Sequence, residues 1–75
     1  MRFFFDYRTL DQSLYDYRGE YFNGPAGAID YAMTVAEDLK HRLHENWKGW
    51  CVEVRNADGT RVFSIPVATA DALAA

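Results

Sequence analysis

The chain has 75 residues, nearly half of them apolar and 16% aromatic, with a formal charge of −3 from eight Lys and Arg against eleven Asp and Glu. That apolar and aromatic load argues against disorder, because aromatic burial offsets chain entropy in a small domain. The acidic balance argues against nucleic-acid binding, which draws on clustered positive charge, and the basic residues here form no run. One cysteine, Cys51, excludes an internal disulfide and a cysteine-based zinc site within one chain. The N-terminal stretch is too short and too soon charged for a signal peptide, and no stretch approaches a membrane span, so no membrane association and a cytoplasmic location are expected.

Residues Arg2 to Arg8 alternate, with Phe3, Phe5 and Tyr7 on one side and Phe4, Asp6 and Arg8 on the other, which predicts a half-buried strand. Thr9 to Gln12 reads as a turn. Ser13 to Tyr17 alternates through Tyr15 and Tyr17 and predicts a second strand pairing back on the first, ended or bulged at Gly19. Residues 1–22 are therefore expected to form a first hairpin.

Asn23-Gly24-Pro25 is a helix start, because Asn is a favoured cap and Pro suits the first helical turn. The helix is expected over 24–46. Ile29, Ala32, Met33, Ala36, Leu39 and Leu43 recur at spacings of three and four and predict its buried stripe, with Asp38, Arg42 and Glu45 on the solvated side. A second hairpin over 50–67 follows. Asp58-Gly59 favours a two-residue turn that pairs Ala57 with Thr60, Val54 with Phe63 and Val52 with Ile65. A three-residue loop with Gly59 as a bulge would instead pair Val54 with Val62. The first register segregates apolar from polar better and is the one expected. Residues 68–75 are Ala-rich, lack a periodic partner and are expected to fray.

The result is a single domain over 1–75, of α+β class and ββαββ order. A four-stranded, mostly antiparallel sheet carries one long helix on one face. Phe3, Phe5, Val52, Val54, Phe63 and Ile65 are expected under the helix. The other sheet face would carry Phe4, Asp6, Arg8, Cys51, Glu53, Arg55 and Ser64.

Several stretches taken together carry a resemblance: Arg2-Phe3-Phe4-Phe5-Asp6, Asp16-Tyr17-Arg18-Gly19-Glu20, an Ala-rich helix, Trp50-Cys51-Val52-Glu53-Val54, Asp58-Gly59-Thr60-Arg61-Val62 and Ile65-Pro66. In this order, over residues 2 to 67, the chain resembles a family of short bacterial proteins classed only as a domain of unknown function. The resemblance implies the ββαββ arrangement and implies no catalytic residue or cofactor. The tyrosine-rich second strand region and Asn23-Gly24-Pro25 depart from the family pattern.

Candidate sites are few. Glu37, His41 and His44, with Asp30 two turns earlier, share one helix flank at metal-ligand spacing, although a solvated flank with a Glu37–His41 pair explains the same residues. Asp6 and Asp16 could meet near Glu53 for acid–base work, but solvated carboxylates at opposite ends of a face are the simpler reading. Asp16 could also bond local backbone beside Gly19. Cys51 lacks an evident base and reads as a plain strand residue. Tyr15, Tyr17 and Tyr21, with Phe4, Asp6, Arg8, Glu53 and Arg55, form a candidate interaction surface, since Tyr and Arg are usual interface anchors. These residues predict a non-enzymatic protein–protein interaction module, with an unidentified protein partner or a homodimer. Binding of single-stranded nucleic acid by the same aromatics, or of metal by the helix flank, are the alternatives.

Overall fold

A computed structural model of the protein describes residues 1–42 and 47–67, with the backbone alone at Arg42. It contains β1 (Arg2–Arg8), β2 (Ser13–Leu14), β3 (Glu20–Tyr21), α1 (Pro25–Arg42), β4 (Cys51–Asn56) and β5 (Arg61–Pro66). Every strand pairing is antiparallel, and the sheet runs β2-β1-β4-β5 with β3 also on β1. The α+β class and the helix start at Pro25 agree with the sequence. Leu43 and Glu45 of the expected helix, and residues 68–75, lie outside the described residues.

The second strand is where the fold departs most from its expected form. Rather than one strand over Ser13–Tyr17, β1 receives two short pieces, Tyr7 pairing with Leu14 and Arg2 with Tyr21. Residues 15–19 arch between them. Outward from β3 the pairing continues, since Met1 and Phe22 exchange backbone hydrogen bonds of 2.7 and 2.8 Å. Continuous pairing is lost because a side chain of the arch itself, that of Asp16, bonds β1.

The second hairpin combines both weighed registers. At its tip Asn56 N–H donates to the Thr60 carbonyl at 2.9 Å and Gly59 N–H to the Asn56 carbonyl at 3.0 Å, closing a three-residue loop with Gly59 at φ +88°. The expected Ala57–Thr60 pair is not formed. The Asn56 side-chain oxygen accepts the N–H groups of Asp58 and Thr60, both at 3.0 Å, and these bonds favour the longer loop. A bulge then absorbs the offset, so Val54 faces Phe63 and Val52 faces Ile65 as the apolar pattern requires. Val67 N–H donates to Trp50 at 2.9 Å. By antiparallel alternation Pro66, next along, needs no N–H toward β4.

The helix packs across β4 and β5 on one sheet face. Its innermost track is Ala28, Ala32 and Ala36, three small residues at spacing four that allow close approach to Phe3, Phe5, Val52, Val54 and Val67. Val35, Leu39 and Ile65 flank this core. The buried stripe is therefore rotated from the expected one, and Met33 is 55% exposed. Phe63 is also outside the core at 42% exposure, because among the described residues β5 has a neighbouring strand on one side only. Phe22 and Tyr31 close the other end, with ring centroids 6.0 and 4.9 Å from Phe5.

Candidate functional site

The face of the sheet away from the helix is organised around two carboxylates directly opposite each other, Asp6 on β1 and Glu53 on β4. They are only 2% and 9% exposed. Buried like charges at this spacing require compensation, and arginines supply it. Arg55 donates to both Asp6 oxygens, Nε to Oδ2 at 2.9 Å and Nη2 to Oδ1 at 3.2 Å. Arg8 and Arg61 both reach Glu53 Oε1, at 3.2 and 3.1 Å. Arg55 also covers the Phe4 ring at 4.6 Å from its centroid, and Arg2 lies 5.1 Å from the same ring.

Asp16 joins this network instead of lying at the far end of a solvated face. Its N–H donates to Asp6 Oδ1 at 2.9 Å, and its carbonyl accepts Arg55 Nη2 at 3.1 Å. Its carboxylate accepts three backbone N–H groups: Phe5 on Oδ2 at 3.1 Å, then Arg18 and Gly19 on Oδ1 at 2.9 and 3.1 Å. One side chain thus folds the arch and occupies the β1 edge in place of a continuous strand. Burial acts to raise the Asp16 carboxyl. The N–H groups of Arg18, Phe5 and Gly19, with the charge of Arg55, outweigh it and hold the group below its ordinary value. An ionised, saturated acceptor is poorly suited to general-acid work.

Gly19 completes the clamp at φ +74°, where a Cβ would stand 2.8 Å from the Phe3 carbonyl oxygen. Arg2 Nε and Nη2 donate to the Arg18 carbonyl, the former at 3.0 Å. The arch is therefore fixed at several points, yet it presents Tyr15 and Tyr17 to solvent, with Leu14 and Tyr21 exposed on the flanking strands. Tyr17 is 86% exposed.

The predicted surface residues thus separate into two groups. Asp6 and Glu53 form a buried floor under Arg8 and Arg55, with Phe4 half-buried beside them, whereas Tyr15, Tyr17 and Tyr21 are exposed. Arg2 and Arg61 belong to the same face and were absent from the predicted set. The three-residue loop register, which sets Arg61 against Arg55, is the signal that leads to Arg61.

On the helix, His41 Nε2 and Lys40 Nζ lie 3.1 and 3.0 Å from the two Glu37 oxygens. Bonding to Lys40, then to His41, draws the Glu37 carboxyl below its usual value. His44 lies outside the described residues. Among the described residues no three His, Cys, Asp or Glu side chains converge as a metal site would need. Cys51 Sγ is 4.0 Å from Glu53 Oε2. No helix of the described residues is long and apolar enough to cross a membrane.

The fold and the clamp define a small α+β domain in which Asp6, Asp16, Gly19, Glu53 and Arg55 tie the arch to the uncovered face of the sheet. The chain belongs to the family described as Domain of unknown function (DUF6894), whose profile matches residues 2–68. Neither a curated protein nor a solved structure matches the chain.

Proposed function

We propose that the domain is a non-enzymatic protein–protein interaction module that self-associates through the tyrosine arch. The observation that carries this reading is the rigid presentation of Tyr17. A carboxylate clamp, a left-handed glycine and an arginine hold residues 15–19 in one conformation while their aromatic side chains remain in water. Pre-organised exposed tyrosines lower the entropy cost of association, and Tyr and Arg are frequent interface anchors.

A second copy is the favoured partner for two reasons. Among the described residues the fully covered large side chains are Phe3, Val52, Val54 and Val67, a small core, so the domain gains from burying more apolar surface. The arch also carries Arg18 next to Glu20 on β3, and a two-fold arrangement would set each against its opposite in the other copy. The single cysteine, with no disulfide to form, accords with a cytoplasmic location. The family resemblance accords with a bacterial source.

Nucleic-acid binding is the rival reading, and it draws less support. Arg2 and Arg55 are committed to the Arg18 carbonyl and to Asp6, and the chain as a whole is acidic at −3. Light scattering across a concentration series separates the readings. The parent chain is expected to reach dimer mass, and Tyr17→Ala combined with Tyr21→Ala to remain monomeric. A monomeric parent at high micromolar concentration, or a salt-sensitive mobility shift with single-stranded oligonucleotides, overturns the proposal.

A further inference from the structure

The two buried carboxylates of the uncovered face are not compensated alike. Asp6 is matched one to one by Arg55. Glu53 receives two arginines on a single oxygen, Arg8 from β1 and Arg61 from β5. A cleft of about 290 Å³ lies over this group, lined by Asp6, Arg8, Tyr15, Glu53, Arg55 and Arg61. It therefore holds three guanidinium groups against two carboxylates.

A guanidinium carries five N–H donors in a planar fork. Arg8 donates one hydrogen bond to Glu53 and Arg61 stands at ion-pair distance from it, and among the described residues neither guanidinium makes a further hydrogen bond. Their remaining donors are brought close together because both groups contact the same oxygen. Side-chain exposures of 33% for Arg8 and 57% for Arg61, against 11% for Glu53, put the anion beneath and leave both cations open to solvent.

We propose that this cleft binds a phosphate group, free or esterified, between Arg8 and Arg61. A carboxylate offers two oxygens and is used up by one fork. A phosphate offers at least three and receives both forks at once. Tyr15 forms one wall of the cleft, where the organic part of an ester would rest. The site does not depend on self-association, since free phosphate suffices as ligand.

The test is a titration with inorganic phosphate at constant ionic strength. It is read by NMR on the Nε–H signals of Arg8 and Arg61 and on the amide of Gly59, which also lines the cleft. Saturable shifts are expected. Arg61→Gln and Arg8→Gln should each weaken binding at least about tenfold, as loss of a charge-assisted contact does, while Arg18→Gln, outside the cleft, leaves it unchanged. Phenyl phosphate binding more tightly than inorganic phosphate identifies an ester as the source, and equal or weaker binding identifies the free ion. Shifts that grow linearly without saturation, or that Arg61→Gln and Arg18→Gln affect alike, overturn the proposal. Amide spectra of the variants verify the fold, and if Arg8→Gln unfolds, the exposed Arg61 decides the outcome.

Discussion

The carboxylate of Asp16 accepts the backbone N–H of Phe5 at 3.1 Å, standing where a neighbouring strand would otherwise supply a carbonyl. The same carboxylate accepts the Arg18 and Gly19 N–H groups, so the edge of β1 and the shape of the arch depend on one side chain. Replacing it by Ala leaves three N–H groups without their acceptor. Asp16→Ala is expected to destabilise the fold by about 2–4 kcal/mol, given the cost of part-buried unmet donors, as measured by urea denaturation. Asp16→Asn, which keeps one acceptor oxygen, should cost less.

The Asp16 carboxyl is held below its ordinary value of 3.8 in the folded chain. A depressed folded pKa means that the clamp contributes fully above the unfolded value, about pH 4. The contribution is lost as pH falls through the lower folded value. Stability of the parent chain should therefore drop more steeply below pH 4 than that of Asp16→Asn, measured by thermal melting from pH 6 to pH 2.

Two positive-φ glycines give a controlled comparison. At Gly19 a Cβ would meet the Phe3 carbonyl oxygen at 2.8 Å, whereas at Gly59 nothing lies within 4 Å. Gly59→Ala carries only the backbone penalty of about 1 kcal/mol. Gly19→Ala adds a clash with the backbone of β1 and should cost about 1–3 kcal/mol more, by analogy with other strained or overpacked sites. Equal losses would contradict the described packing of the arch.

Arg55 neutralises an almost fully buried carboxylate. Arg55→Met is expected to destabilise by about 3 kcal/mol, because it strands the Asp6 charge. Adding Asp6→Asn should recover part of that loss. A double-mutant cycle by denaturation measures the coupling, and strict additivity would show that the pair is not energetically joined.

Much of the fold is legible in the residues themselves. Phe3 and Phe5 declare the buried side of β1, Pro25 marks the helix start, and the apolar alternation of β4 and β5 places Val52 against Ile65 and Val54 against Phe63. These features follow from local periodicity. The split second strand does not, because it depends on whether the Asp16 carboxylate outcompetes a backbone carbonyl for the Phe5 N–H. The hairpin tip likewise depends on the Asn56 side chain, which adds two bonds to the longer loop. Burial of Asp6 and Glu53 was hidden for a different reason. Both are charged residues on a face that the helix leaves uncovered, and they become buried only when the arch and the arginines Arg8, Arg55 and Arg61 close over them.

We propose the arch as a fixed platform through which two copies meet. It is tested most directly by following side-chain and amide NMR signals through a dilution series. Leu14, Tyr15, Tyr17 and Tyr21 should shift together with concentration while Met33 and His41, on the exposed side of the helix, stay still. Concentration-dependent shifts centred on the helix or on β5, or none at any arch residue, would contradict it.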